Sequence, residues 1–338
     1  MFLIREAQKE DLDQLMGLAR IAALLNLPVE PDLLIKKISR SNKSFKGDIK
    51  KREDAEFLFV IEDLEDNHIC GTSTIIAQHG TQKAPHFYFA ITKVEKYSKT
   101  LHSGFIHEIL RLQTDEHGPT EIGGLVVEPA YRNVPQKLGK QLSFIRFLYI
   151  GTHRDNFQDR ILAELQPPLS HEGKSLFWEA LGRKFVNLDY KEADMLSKKN
   201  KEFILALFPH EDIYISLLPA EARGVIGRIN EETQPVKHML EKIGFKYLNQ
   251  IDPFDGGPHY GALTNEVAPI QNTQKTKIAS GSLTTEGKAG LIAVEKQNLP
   301  FRAVLGTFLT QNNEAVLDPT TMKTLNLEIG DPVMLLPY

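Results

Sequence analysis

The chain has 338 residues, of which 41% are apolar and 25% charged, and its formal net charge is −4. That length holds a sizeable core and about two domains, and the balance gives no basic surplus for a nucleic-acid or anionic-membrane partner. A single cysteine, Cys70, excludes an intramolecular disulfide framework and suits a reducing compartment.

The first residues, Met1-Phe2-Leu3-Ile4-Arg5, lack the basic-then-apolar order of a secretory signal, and no apolar run approaches membrane-spanning length. A cytoplasmic protein with no membrane partner is the expectation. Residues 2–5 predict a strand. An amphipathic helix follows Lys9-Glu10-Asp11, with Leu12, Leu15, Met16 and Ala19 on its apolar stripe. Residues 24–28 read as a loop, and Pro31 opens a second helix carrying Leu34, Ile35 and Ile38. Residues 57–61 and 69–77 predict an antiparallel hairpin across the polar turn 62–67. Residues 87–107 alternate weakly, through Tyr88, Phe89, Ile91, Val94 and Tyr97, and predict strand. His68, His79 and His86 show no cysteine or carboxylate spacing, so no metal set is expected.

The central stretch is an apolar run, residues 122–127, broken by Glu128-Pro129-Ala130-Tyr131-Arg132. A loop over 133–139 then leads into a helical pattern over 140–152. It puts Leu142, Ile145 and Tyr149 on one stripe, with Phe144 and Leu148 beside it. The first turn of a helix has backbone N–H groups without an intrahelical partner, and its dipole favours an anion. Arg132, Lys137 and Lys140 add positive charge at that mouth. The stretch is either a pyrophosphate cradle or an ordinary strand-to-helix connection with solvated basic side chains. Gly123-Gly124 is a weak point in the strand, where a β-bulge or a close approach of ligand to backbone is expected.

Two later stretches share a pattern: 175–189, around Leu181-Gly182-Arg183, and 236–252, around Ile243-Gly244-Phe245. Each predicts a helix closed by a C′ glycine and followed by a strand. This reads either as a duplication or as a coincidence of a pattern common in α/β chains. From 271 to 288 the residues Thr, Ser, Gly, Gln and Lys dominate, which predicts a linker. Short apolar segments at 291–294, 301–308, 315–317 and 333–336 then predict a small β-rich module. A Gly-x-Ser-x-Gly elbow and a Gly-Lys-Ser/Thr phosphate loop are both absent from the sequence.

The run Val127-Glu128-Pro129-Ala130-Tyr131-Arg132, followed by a glycine-containing loop and a helix, resembles the acyl-CoA-binding segment of the Gcn5-related N-acyltransferases. With Glu121-Ile122-Gly123-Gly124-Leu125-Val126 before it, and Leu142-Ser143, Arg146-Phe147 and Arg154-Asp155-Asn156-Phe157 after it, it resembles the arginine N-succinyltransferase family. The likeness runs from Met1 to about Ile270. It implies an α/β (α+β) fold: a Gcn5-related N-acyltransferase-like mixed sheet flanked by helices, with a second related lobe and a small β-rich C-terminal module. The expected divisions are 1–157 for the acyltransferase-like domain, 158–270 for the second lobe, 271–288 for the linker and 289–338 for the module. The resemblance implies succinyl-CoA as cosubstrate, no permanently bound cofactor, and arginine or another small amine as acceptor. It also implies direct attack of the amine on the thioester, and a homo-oligomer. The implied acyl-CoA contacts are Leu125, Val126 and Val127 on the strand and Arg132, Lys137, Gly139 and Lys140 around the loop.

Other segments bear on the acceptor and the chemistry. Asp252-Pro253-Phe254-Asp255-Gly256-Gly257-Pro258 resembles the family's Asp-x-Phe-Asp-Gly-Gly-Pro. Its Asp252 and Asp255 either hold a guanidinium or cap a turn. The family's acid/base segment, Ile-Gly-x-Val-His-Pro-Gln-Thr, matches Ile226-Gly227-Arg228-Ile229-Asn230-Glu231-Glu232-Thr233, with asparagine at the histidine position. Asparagine does not titrate. Glu231, Glu232 or a water chain to Glu121 are the alternatives for the base, and Glu121 matches a family glutamate beside the acyl-CoA strand. The family's Leu-Thr-x-Leu-Pro loop has become Leu24-Leu25-Asn26-Leu27-Pro28, which puts Asn26 among the acceptor contacts. After Arg132 the loop is two residues longer than the family's Arg-x-x-Gly-x-Gly turn, and it contains Pro135, which has no N–H to offer. These departures leave open an acyltransferase with another acceptor, or a binding homologue without catalysis.

Overall fold

The computed structural model describes residues 1–22, 27–170, 172–197, 200–283, 287–296 and 300–338. In chain order the strands are β1 (Phe2–Glu6), β2 (Glu56–Asp63), β3 (His68–Ile76), β4 (His86–Ser98), β5 (Ser103–Asp115), β6 (Thr120–Val127), β7 (Arg160–Glu164), β8 (Ile213–Tyr214), β9 (Lys246–Ile251), β10 (Pro258–Leu263), β11 (Gln274–Ile278), β12 (Lys288–Val294), β13 (Arg302–Gln311), β14 (Glu314–Leu317) and β15 (Pro332–Pro337). The helices that matter below are α1 (Leu12–Ala22), α2 (Pro31–Phe45), α3 (Leu138–Thr152), α4 (Leu176–Ala180) and α5 (Gly182–Val186). Among the described residues no helix is long and apolar enough to cross a membrane.

The chain packs as two compact units, each assembled from separate stretches. The first takes Met1–Gln78, Thr120–Asp159 and Thr264–Tyr338; the second takes His79–Pro119 and Arg160–Leu263. The chain crosses between the units after Gln78, Pro119, Asp159 and Leu263. Hairpin β4–β5 groups with the second unit, and the C-terminal strands group with the first. The stretch 271–288, expected as a linker, contains β11, which pairs with β14 and β15.

In the first unit β1, β2, β3 and β6 lie side by side and antiparallel. The predicted hairpin is β2–β3. Helix α1 lays Leu15, Met16 and Ala19 onto this sheet, as its 3.6-residue stripe requires, against Leu58, Val60 and Ile69. Helix α2 starts with Pro31 in its first turn, followed by Asp32, a pairing that suits the positive end of the dipole. Its Leu34 and Ile38 are buried, whereas Ile35, expected on the same stripe, is exposed. On the other edge of the sheet β13 pairs with β1. Strands β12, β15, β11, β14 and β13 follow one another, and β12 pairs back to β13, so the five close into a ring.

Helix α3 packs against β2, β3 and β6 and also against β12, β15 and the helix Ala268–Gln271. Twelve of its fifteen residues are buried, so it cannot have the single apolar stripe predicted for it; it is apolar nearly all round. Thr152 Oγ1 of the helix donates to the Leu148 carbonyl at 2.8 Å, and Ser73 Oγ of β3 donates to the Leu142 carbonyl at 2.9 Å.

In the second unit the strands run in the order β7, β10, β9, β4, β5, β8, all antiparallel. Its core is aromatic. Trp178 stacks on Phe254 with ring centroids 5.3 Å apart, and its Nε1 donates to the Leu188 carbonyl at 2.9 Å. Ser175 caps α4 by accepting from the Trp178 N–H at 3.0 Å and donates to the Phe254 carbonyl at 3.0 Å.

The paired helix–glycine–strand pattern holds for the second copy alone. There the helix Gln234–Lys242 is followed by Gly244 at φ +113° and then by β9. In the first copy Gly182 begins α5, has no positive φ, and is followed by helix rather than strand. This glycine answers to packing: a Cβ on Gly182 would overlap ring carbons of Trp178. Gly182→Ala is expected to destabilise the protein by about 1–3 kcal/mol through overpacking. Urea denaturation followed by the fluorescence of Trp178, the one tryptophan, measures it. An unchanged midpoint would remove the packing explanation.

Candidate active site

Strand β6 is bent where the glycine pair stands. Thr72 pairs with Val126 and Thr74 with Gly123, so Ser73 alone lies opposite both Gly124 and Leu125. Gly124 sits at φ +57°, the left-handed region in which a Cβ is strained. This is a β-bulge, and a bulge leaves its extra residue out of the ladder. Backbone polar groups near Leu125 are thereby available to a bound molecule. Leu125 and Val127 are half-buried and Val126 is buried.

The chain leaves β6 through a short turn and enters α3. Arg132 Nε donates to the Val127 carbonyl at 3.1 Å, which stitches the turn to the strand end. Lys137 stands at the N-cap of α3 in a left-handed conformation, φ +52°. No acidic residue occupies the first helical turn, the place where helices usually put one. Lys140 belongs to that turn, and its Nζ lies over two rings, 3.9 Å from the centroid of Tyr338 and 5.1 Å from that of Phe144. Burial, and then the neighbouring Lys137, push the Lys140 ammonium below its usual range. An anion at this helix start would relieve both effects. Gln141 closes the loop by donating from Nε2 to the Gln136 carbonyl at 2.9 Å. A Cβ on Gly139 would meet nothing closer than Val127 Cγ2 at 3.7 Å, so this glycine is free of steric demand from the protein itself.

Two charged residues lie inside the first unit behind this segment. Glu121 is buried on β6, opposite Ile76. Arg146, buried in α3, donates from Nη2 to Ser143 Oγ at 2.8 Å and from Nη1 to the Gly123 carbonyl at 3.4 Å. Burial lowers its proton affinity, yet a guanidinium stays charged at neutral pH. A positive group is thus fixed beneath the bulge. In the sequence Arg146 belongs to the stretch that carries the family resemblance, and no spacing assigns it a role.

The remaining site residues belong to the second unit. Asn230 caps a short 3₁₀ turn, accepting the Thr233 N–H on Oδ1 at 2.8 Å, and its own N–H donates to the Gln166 carbonyl at 3.1 Å. Glu231 and Glu232 follow it in that turn and are exposed. Asp252 Oδ1 accepts from the Phe254 and Asp255 N–H groups at 2.7 and 3.0 Å. Asp255 Oδ1 accepts from the Gly257 N–H at 2.7 Å. One oxygen of each carboxylate therefore serves the turn. Burial raises the proton affinity of both, and for Asp255 the Asp252 carboxylate adds to it. Asn26 lies outside the described residues.

Comparison with known proteins gives a consistent picture. The family model described as arginine N-succinyltransferase beta subunit matches residues 2–269. The chain is 33% identical over 339 residues to an arginine N-succinyltransferase of Photorhabdus laumondii, covering 99% of this chain and 98% of that one. It is 33% identical over 344 residues to the arginine N-succinyltransferase subunit beta of Pseudomonas aeruginosa, again covering 99% and 98%. The solved structure of arginine/ornithine succinyltransferase subunit AI from Pseudomonas aeruginosa matches with a TM-score of 0.84 at 27% identity, over 100% of this chain and 98% of that chain.

The raised proton affinity of Asp255 has a measurable sign. The folded state holds this proton more tightly than the unfolded chain, so ionisation opposes folding. Stability is lost as pH rises from the ordinary aspartate range, about 4, through the raised native value. Asparagine keeps an acceptor for Gly257 and carries no charge. Asp255→Asn is therefore expected to be more stable than the parent at pH 7, with the gain shrinking below about pH 4. Chemical denaturation at the two pH values checks this, and a variant equally destabilised at both would overturn the account.

Proposed function

The chain belongs to the arginine N-succinyltransferase family, and from that premise we propose that it is a cytoplasmic transferase moving the succinyl group of succinyl-CoA to the α-amino group of arginine. The amine attacks the thioester carbonyl carbon. The C–N bond forms, the C–S bond breaks, and the CoA sulfur leaves with the electron pair and takes up the proton that the amine gives up. The observation that supports this most is the Gly124 bulge set directly ahead of an acid-free, lysine-flanked helix start.

On this reading the pantetheine amides pair with backbone around Leu125, Val126 and Val127, and a backbone N–H near Leu125 polarises the carbonyl. The pyrophosphate meets the N-terminus of α3 with Arg132, Lys137, Gly139 and Lys140. Asp252 and Asp255 recognise the guanidinium, beside the Tyr190 hydroxyl that is hydrogen-bonded to Asp255, with Asn26 as a further contact. Deprotonation of the amine falls to Glu121, Glu231 or Glu232, because Asn230 holds no proton to exchange at neutral pH. A second reading, a homologue that binds acyl-CoA without turnover, draws on the same asparagine: its side chain is engaged as a cap. A homo-oligomer completes the proposal.

Incubation of the purified chain with succinyl-CoA and arginine, followed by free thiol and by mass spectrometry of the amino acid, tests the transfer. Product on another amine alone would replace the acceptor and keep the transferase; binding of succinyl-CoA without product on any amine would favour the second reading. Lys140→Ala is expected to raise KM for succinyl-CoA about tenfold, the scale of one charged hydrogen bond, with kcat nearly unchanged. An unchanged KM would detach Lys140 from the pyrophosphate.

Asn230→His is expected to raise kcat on the order of 10²-fold at saturating succinyl-CoA, the low end of general acid–base assistance. The same change gives up a cap and is expected to cost about 1 kcal/mol of stability. If a folded histidine variant is no faster than the parent, a glutamate already carries the proton.

A further inference from the structure

Three histidines and a glutamate that the proposed reaction does not use meet at one end of the second unit's sheet. Strands β7, β10, β9 and β4 are adjacent and antiparallel. This alternation brings the end of β7 and the starts of β10 and β4 to the same end. Glu164 closes β7, His259 of β10 is its register partner, and His86 opens β4. His79 precedes β4 on a loop held to the far end of β5 by the bond from its N–H to the Pro119 carbonyl, 2.7 Å.

His86 Nδ1 lies 3.8 Å from Glu164 Oε1, and His259 Nε2 lies 3.7 Å from the same oxygen. The rings of His79 and His86 stand at 87° with centroids 4.7 Å apart. One ligand atom from each of His79, His86 and Glu164 lies within 4.8 Å of the other two. His86 is 3% exposed, and its Nε2 has no hydrogen-bond partner among the described residues. That nitrogen carries a desolvation cost that a bonded group would offset, while the other ring nitrogen, Nδ1, is the one facing Glu164.

We propose that His79, His86 and Glu164 bind one divalent first-row transition ion, of the zinc class, leaving a fourth coordination position open. Two imidazoles and a carboxylate, without thiolate, are the donor set such an ion takes. Metal–ligand bonds of about 2.0–2.2 Å set tetrahedral donors roughly 3.3 Å apart, so the 3.8 Å between His86 Nδ1 and Glu164 Oε1 must close by about half an ångström and the other pairs, within 4.8 Å, by at most about 1.5 Å. His259, its ring 5.3 Å from that of His86 and its Nε2 3.7 Å from Glu164 Oε1, lies beside the group and acts as a positioning residue for the carboxylate. Asp252 forms a second group with Glu164 and His259 and adds negative charge nearby. Lys201 and Arg160 oppose it, since both also act on His86. Burial keeps the His86 imidazole neutral, as a ligand must be. The inference does not depend on the acyl-transfer reading.

Full-length protein stripped with a chelator is titrated with zinc by calorimetry and with cobalt(II) by visible absorption. One equivalent of zinc, a cobalt spectrum of nitrogen and oxygen ligation, and a raised Tm are expected. Glu164→Gln, His86→Ala and the loop variant His79→Ala are each expected to weaken zinc binding by about 100-fold or more, and His259→Ala by about tenfold. Circular dichroism establishes that the variants are folded, and the glutamine and loop variants spare the sheet core. The proposal is overturned if the folded, stripped protein shows no binding heat and no cobalt spectrum. It is equally overturned if binding survives both His79→Ala and Glu164→Gln. Loss of binding in Asp252→Asn with His79→Ala unaffected moves the ion to the other group and overturns the assignment.

Discussion

The burial of α3 is the constraint on which the first unit depends. A helix enclosed on nearly all sides contributes about 1.5–3 kcal/mol for each large apolar side chain it buries, and it takes those contacts from several layers at once. Its stripe toward β2, β3 and β6 fixes the sheet, and its opposite surface fixes the ring of C-terminal strands. The cost of such enclosure is that every polar group inside must be paired. Ser143, Arg146 and Thr152 meet that demand locally, and Arg146 extends it to the Gly123 carbonyl on the neighbouring strand. Bulge and helix start are therefore held to one another through packed core rather than through a surface loop, which is the rigidity a phosphate-and-thioester site requires.

On the proposed reading, acyl transfer needs a place for the anion and a route for the proton, and the two segments compare differently with the family's motifs. The anion side retains its physical elements: a strand opened at Gly124, a helix start without acid, and lysines at its mouth. The added loop length and Pro135 are accommodated by the left-handed Lys137 and by the Gln141 clamp. The segment proposed for the proton has asparagine where the family's motif has histidine. Asn230 suits the first position of a 3₁₀ turn well, and a good cap at that position is a poor base.

Much of this was legible in the sequence because it is written in short-range patterns. The β2–β3 hairpin, the α1 stripe, the proline opening of α2 and the weak point at Gly123-Gly124 each rest on a handful of consecutive residues. What the sequence hid depends on distant partners. The far surface of α3 is covered by β12 and β15, over a hundred positions downstream, so the helix looked amphipathic when it is enclosed. Gly182 looked like a helix terminator because close packing against Trp178 and a left-handed turn both select glycine. His259 and Glu164 are brought together by strand register alone, which no sequence spacing reports. Likewise, Asp252 and Asp255 read equally well as a cation site and as turn caps, and one oxygen of each is committed to the turn while the other is not.

The pairing of β1 with β13 sets an order of events during synthesis. Ile4 lies opposite Ala303, so β1 is completed by a strand made about 300 residues later. At about 5–20 residues per second the ribosome takes roughly 15–60 s to bridge that interval. Throughout it the outer edge of β1 presents unsatisfied N–H and C=O groups to whatever chain is nearby. The second unit's segments also emerge inside the first unit's, so a vectorially growing chain must hold one core open while another closes.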